Sequence, residues 1–456
     1  MSDATGTSPL HALLTPPQAR ILSAHARRLP DPASALALLH RWAETEGLPK
    51  GEQAFLHLLY LAGFSEALFL ALLRHPGQLP ALSAQVRGAR NPSREALEES
   101  LARFLLGRRW ATPAEAMAAF RNAQTARILL QDVLGVLPFD AVTRELSYLA
   151  DVLIAKAFAL SFQPLRESLG LPMFVGPEGR AVPCPLSVFA LGKLGGEELN
   201  YASDVDLVFL YQSEGKTDRG HPNGAFFQAW VQAATALLTA PTPDGSCLRV
   251  DPNLRPRGRD GELALPFDSA LAYYREWADL WERQAWVKAR VCAGDAVAGT
   301  LFLRDLEPVI YQPYSFAGVA RQNRQMRELS LARLRRAAPD GPEADVKEGR
   351  GGIRDAEFSV QALQMAYGQK DRWVRESGTL RAVEKLHQKG LLTASQRAGL
   401  SGAYVLLRRA EHWAQVQGMR QTHLLPRDGA QWRSLAAFLG RPDPCAAEAE
   451  IASARR

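Results

Sequence analysis

Cysteine is scarce, and Cys184, Cys247, Cys292 and Cys445 are widely scattered. No two stand in C-x-x-C spacing, so neither a zinc site nor a disulfide framework is indicated. No apolar run approaches the roughly 20 residues that span a bilayer. The opening stretch MSDATGTSPLHALLTPPQAR lacks a basic segment followed by an apolar one, which argues against a secretory signal. A reducing cytoplasm is the expected compartment, with no membrane partner. Charge of one sign is not in strong excess either. The formal +6 over 456 residues comes mostly from arginines on helical patterns. Such a balance suits anionic ligands and reads as solvated faces, with no nucleic-acid partner. No internal repeat is visible.

What is present is an ordinary globular composition, 47% hydrophobic and 22% charged, at a length that predicts two to three domains. The expected division is 1–18 as a disordered N-terminus, 19–175 as a helical region, 176–310 as a catalytic core, and 311–456 as a second helical region. Residues 1–18 are polar, proline-containing and without periodicity. From Ile21 to about Leu165 the spacing is helical throughout. Asp31-Pro32 starts one helix, and Gln53 to Arg74 gives two apolar-rich segments with Gly63 and Ser65 between them. Thr112-Pro113-Ala114-Glu115 offers a hydroxyl cap, a first-turn proline and a glutamate placed to close a capping box. Helices follow from Ala116 to Leu134, with Met117 and Phe120 as core, and from Ala141 to Phe162. The turn-rich Val175-Gly176-Pro177-Glu178-Gly179 marks the boundary.

Chemistry enters at LSVFALGKLGGEELNYASDVDLVFLY, Leu186 to Tyr211. A buried strand leads into the turn Gly192-Lys193-Leu194-Gly195-Gly196, and a second strand begins at Asp204. Alternate strand residues share a face, so Asp204 and Asp206 point the same way, about 6.6 Å apart. At an effective dielectric near 20 the two carboxylates repel by roughly 2–3 kcal/mol. A divalent cation between them relieves that cost. Mg²⁺ takes carboxylate oxygens together with substrate phosphates, and a glycine turn offers N–H groups to phosphate. Asp-x-Asp alone is common at strand starts, and Gly-Gly turns alone say less. The combination is far more specific. Leu248 to Pro256 then supplies a third acid on a further strand, Asp251.

The strand, glycine turn and Asp-x-Asp strand resemble the DNA-polymerase-β-like nucleotidyltransferases. The longer string GKLGGEELNYASDVDLVF resembles the glutamine synthetase adenylyltransferase and adenylyl-removing enzymes, with similarity from about Ala116 to Gly440. The resemblance implies an α+β, mostly helical fold: a nucleotidyltransferase core with a small mixed sheet, flanked by helical regions. It implies Asp204, Asp206 and Asp251 as catalytic acids and Mg²⁺ ligands. Gly192, Lys193, Gly195, Gly196, Ser203, Arg255, Lys288, Lys347 and Arg354 would hold nucleotide and phosphate. One departure stands out. The family's Asp-x-Arg-Leu-Arg-Pro reads Asp251-Pro252-Asn253-Leu254-Arg255-Pro256 here, so Asn253 replaces an arginine, and Pro252 suits an edge strand or bulge.

Later segments match in order. Tyr273 to Cys292 has helical spacing ended by Gly294-Asp295, with Trp277, Trp281 and Trp286 expected as core rather than as a stacking platform. It contains the family-like Trp281-Glu282-Arg283 and Lys288-Ala289-Arg290. Arg321 to Ala337 reads as a basic amphipathic helix whose arginines, Arg327 among them, form a solvated face. The glycine-rich Val346 to Phe358 resembles the family's K-x-G-x-GGIR block and could cradle phosphate at a helix start, while Asp355 and Glu357 suit the helix dipole. His412 and His423 have no acidic partner at ligand spacing and read as surface or packing residues. Cys445 to Arg456 looks like a helix cut short.

Enzymes of this family normally fuse two similar units, one removing AMP from a glutamine synthetase tyrosine by phosphorolysis, the other adding it from ATP. Asn200 and Arg354 resemble the adenylyl-removing unit. The expected function is therefore Mg²⁺-dependent deadenylylation, with glutamine synthetase, phosphate and ATP/ADP as partners and PII as a regulator. The expected chain is a fragment or a one-unit relative. Adenylylation from ATP is the alternative, and a non-catalytic docking module for glutamine synthetase or PII is a second.

Overall fold

The computed structural model describes residues 9–88, 92–107, 110–176, 178–337 and 342–456. Helices begin where the sequence supplies caps. Asp31 accepts from the Ser34 N–H ahead of Pro32–Glu46, and Ser65 ends Glu52–Phe64 while capping Glu66–Arg74. Thr112 caps Pro113–Val133, but only half of the expected box forms. The Glu115 carboxylate turns to the Ala111 N–H at 3.2 Å. The helix Phe139–Leu169 outruns its expected end at Phe162 and stops at Gly170, whose φ of 86° a left-handed turn requires.

Three expectations need correction. Disorder to residue 18 falls partly on residues 1–8, outside the described residues. Beyond them, Pro9–Leu13 forms a 3-10 turn and Pro16–His25 a helix. Full burial of Leu10 and a proline pair in the first helical turn outweigh the polar composition. Arg290–Gly294, read as the end of a helix, is a strand, because it completes the sheet edge. Arg327 is not solvated. It is buried, and its guanidinium grips Asp355 and the Glu348 and Gly349 carbonyls.

A small antiparallel sheet joins β1 (Pro172–Val175), β2 (Ala181–Pro183) and β5 (Lys216–Thr217) in the order β2-β1-β5. The main sheet holds β3 (Leu186–Ala190), β4 (Val205–Tyr211), β6 (Val250–Asp251), β7 (Ala264–Pro266) and β8 (Arg290–Gly294). Its order is β6-β4-β3-β8, with β7 also pairing with β4. β3 runs antiparallel to β4 and β8, while β6 and β7 lie parallel to β4. The period of two sorts the apolar strands onto two faces. Val188, Leu207 and Phe209 enter the large core shared with both helical regions, which runs from Leu10 to Ile451. Phe189, Val208 and Leu210 enter a second core with Phe267, Trp286 and Phe302. The fold is thus α+β and mostly helical, built on a small mixed sheet of nucleotidyltransferase type.

Two polar clamps fix the helical regions. Asp151 takes Arg290 at 2.6 and 2.9 Å, tying Phe139–Leu169 to the sheet edge. Ser65 donates to the Val416 carbonyl at 2.6 Å, joining the first region to the last. Among the described residues no helix is long and apolar enough to cross a membrane.

Candidate active site

At the start of β4 lies a cavity of about 460 Å³. Asp204, Asp206 and Asp251 all line it. Asp206 sits directly opposite Asp251 across the parallel β4–β6 pair, and β6 is an edge of that sheet, where Pro252 costs no ladder bond. Burial pushes the Asp206 carboxyl up to about 6, with the Asp251 and Asp204 charges adding to the rise. Lys347 and Lys193 pull the other way without cancelling the rise.

These hard oxygen donors fit Mg²⁺ in chemistry, but the set is not closed. Among the described residues no cluster of three His, Cys, Asp or Glu is arranged to hold a metal. One reason is visible. The Asp204 Oδ1 accepts from Arg249 Nε at 2.6 Å. Asp251 Oδ1 is likewise occupied, by the Asn253 N–H at 2.8 Å.

The glycine turn is one helical turn, Gly192–Gly195. Gly192 has φ of 55°, and a Cβ there would overlap the Asp206 carboxylate, so only glycine fits. Gly195 and Gly196 do not line the cavity. A Cβ on Gly195 would strike the Lys288 and Ala190 carbonyls, and one on Gly196 would come within 3.0 Å of the Ser377 carbonyl. Their role is close packing. Arg255 also lies off the cavity, stapling its own loop through the Pro252, Gly261 and Arg259 carbonyls. Ser203 is on the cavity wall.

The lysines divide. Lys193 lines the cavity but donates to the buried Glu411 at 2.5 Å. Burial pulls its ammonium down to about 7 against the opposing pull of Glu411. Lys288 spends its three donors on Glu198 at 3.0 Å, Glu357 at 2.8 Å and Thr379 at 3.0 Å. Burial alone would lower it, and the two carboxylates outweigh burial and hold it charged. Both are struts. Lys347 lines the same wall with no side-chain partner among the described residues, and Arg354 shares Glu348 at 2.9 Å. The cations left for a ligand come from the glycine-rich block. Its turn is held by Asp355, which accepts from the Gly351 N–H at 2.8 Å.

The connector 197–203, which aims Asp204, is gripped from two sides. Ser147 accepts from the Leu199 N–H at 3.0 Å, and Tyr201 donates to Asp132 at 2.9 Å. From Ala394–Val416, Gln415 accepts from the Ala202 N–H at 3.0 Å, and the fully buried Arg408 holds the Glu198 carbonyl and Asn200 Oδ1. His412 is buried against Asn200 at 3.0 Å, and His423, expected to lack an acidic partner, meets Glu411 at 2.9 Å. Folding, not sequence spacing, makes that pair.

Sequence reasoning missed Arg249 and misplaced two tryptophans. Trp286 is core, but Trp277 is 75% exposed and Trp281 36% exposed. The expected single helix breaks at Trp277 and restarts behind the Asp279 capping box, which turns Trp281 onto the cavity beside Leu254, Met326 and Phe358. The Asp-Leu-Trp-Glu capping pattern was the available signal.

Residues 55–305 match the family described as glutamate-ammonia ligase adenylyltransferase. Residues 323–453 match the family described as GlnD PII-uridylyltransferase. Curated relatives include bifunctional glutamine synthetase adenylyltransferase/adenylyl-removing enzymes from three bacteria. The Hahella chejuensis protein is 36% identical over 326 residues, 71% of this chain and 33% of the relative. That of Streptomyces avermitilis is 35% identical over 391 residues, 85% of this chain and 36% of the relative. That of Stenotrophomonas maltophilia is 34% identical over 439 residues, 95% of this chain and 43% of the relative. The chain thus spans about a third to two-fifths of the relatives' length.

Proposed function

The chain belongs to the glutamate-ammonia ligase adenylyltransferase family, and from that premise we propose that its cavity removes AMP from an adenylylated tyrosine of glutamine synthetase by phosphorolysis. The observation that carries this reading is the direct pairing of Asp206 with Asp251, with Asp204 on the same cavity and Lys347 and Arg354 facing them. In the reaction an oxygen of inorganic phosphate bonds to the AMP phosphorus as the phosphorus–tyrosine oxygen bond breaks. ADP forms, and the tyrosine oxygen takes a proton.

Asp204, Asp206 and Asp251 would hold Mg²⁺, which when bound neutralises phosphate charge and polarises the phosphoryl group. Lys347 and Arg354 bind non-reacting phosphate oxygens, Arg354 as a planar fork. Gly192 lets the turn approach closely enough for its first N–H groups to meet phosphate. The apolar lip of Leu254, Trp281, Met326 and Phe358 shields the reacting centre from water. PII is proposed as a regulatory partner, supported by the match of residues 323–453 to a family whose name includes it.

The names of the relatives carry both directions of transfer, so adenylylation from ATP is the second reading. The direct test incubates the protein with adenylylated glutamine synthetase, Mg²⁺ and phosphate and follows ADP. ADP release supports deadenylylation. AMP incorporation from ATP into unmodified synthetase, without ADP release from the modified form, reverses it. Neither reaction would favour the docking-module reading.

A further inference from the structure

A second cavity, of about 420 Å³, lies behind the catalytic acids and shares Ser203 with the first. Its charged and amide lining includes Arg74, Arg121, Asn200, Asp244 and Arg249. Three guanidinium groups against one carboxylate leave an excess of positive charge. Asp244 is fully engaged, by Arg74 at 2.9 Å and His75 at 2.7 Å. Arg121 has no carboxylate partner among the described residues. It donates one Nη2 bond to the Ser246 carbonyl at 3.0 Å, and its buried Nε has no acceptor. Asn200 is 2% exposed, and its Oδ1 faces Arg408, a group that only donates, so the amide orientation is fixed. Its Nδ2 is left without an acceptor. Buried donors lacking acceptors are costly, and here both belong to side chains that line one cationic cavity.

We propose that this second cavity is a binding site for a doubly charged phosphate-type oxyanion, held by Arg121, Arg249 and Asn200. A guanidinium fork matches phosphate oxygens bidentately. Arg249 makes the site communicate with the catalytic cavity, because its Nε holds Asp204 at 2.6 Å and its Nη2 holds the Ala202 carbonyl. An anion behind Arg249 competes with Asp204 for the same guanidinium. Its binding frees a carboxylate oxygen in the catalytic cavity, and removing the Asp204 charge strengthens anion binding in return. The site stands whichever way the adenylyl group moves.

The test titrates inorganic phosphate into the protein by calorimetry in chelator-treated, Mg²⁺-free buffer, with no nucleotide or glutamine synthetase. Arg121→Gln is expected to weaken phosphate by ~10-fold or more, Arg121→Lys to recover only part of that loss because an ammonium keeps the charge but not the bidentate fork, and Asp204→Asn to tighten it several-fold. Melting temperatures verify that each variant is folded; if Arg121→Gln is not, the Arg121→Lys and Asp204→Asn arms decide. Undiminished binding by folded Arg121→Gln would overturn the proposal. So would a loss seen only in Lys347→Gln, which would put the anion in the catalytic cavity, or no binding at millimolar phosphate. Succinate binding more tightly than phosphate would overturn the phosphate assignment.

Discussion

The two walls of the cavity proposed as the active site spend their charges differently. On the sheet wall Asp206 faces Asp251, and burial, with the Asp251 and Asp204 charges adding, pushes its carboxyl up to about 6. On the helical wall Lys193 and Lys288 are each bound to carboxylates, and Arg408, fully buried and off the cavity, is bound to Glu411 and the Glu198 carbonyl. The difference separates residues that serve a ligand from residues that hold the fold. An unbalanced charge on a cavity wall is available to a ligand. A buried charge with every donor placed is a strut, however family-like its motif. Lys347 and Arg354 are the cations closest to the first kind.

Predictions that break the comparison begin with the sheet wall. Asp206→Asn should cut adenylyl transfer in either direction by ~1,000-fold or more while leaving the melting temperature equal or higher, because a repulsion is removed. Rate assays beside calorimetric melting check both halves. Behind the helical wall Arg408→Met should do the reverse, costing about 3–5 kcal/mol of stability by removing the buried guanidinium from Glu411, Asn200 Oδ1 and the Glu198 carbonyl. Urea unfolding reads that loss directly.

The same distinction extends to a buried base. His57 is 2% exposed, its Nδ1 has no hydrogen-bond partner among the described residues, and burial, with the Arg87 charge adding, lowers it to about 4. The neutral ring is the folded form, so the unfolded chain binds the proton first. Stability conferred by the neutral ring is full above pH 6.5 and falls as pH drops toward 4, by about 2–3 kcal/mol. Unfolding of wild type and His57→Gln across that range should show the difference, and parallel pH profiles would refute it. Lys347→Gln is the mildest change. It should lower kcat/KM by about 10- to 100-fold with unchanged stability, the mark of a ligand contact rather than a strut.

Sequence carried the local features well. The glycine turn, Asp-x-Asp strand and third acid were legible because each is a short pattern with its own geometry, and so were the helix start at Asp31 and the break at Ser65. Long-range pairing was not. Lys288 read as a phosphate ligand because Glu198, Glu357 and Thr379 meet it only after three separate segments pack together. Arg249 stood two residues before Asp251 and went unremarked, since its partner Asp204 lies 45 residues away. Trp281 was misassigned because periodicity was followed across a cap that breaks the helix.

The most direct test of the account is cation binding at the sheet wall, measured with Mn²⁺ as a paramagnetic probe by electron paramagnetic resonance. Wild-type protein should bind Mn²⁺ in the presence of ADP, folded Asp206→Asn and Asp251→Asn should bind it ~10-fold or more weakly, and Lys347→Gln should match wild type in the absence of nucleotide. Equal Mn²⁺ affinity in wild type and both aspartate variants would contradict the account.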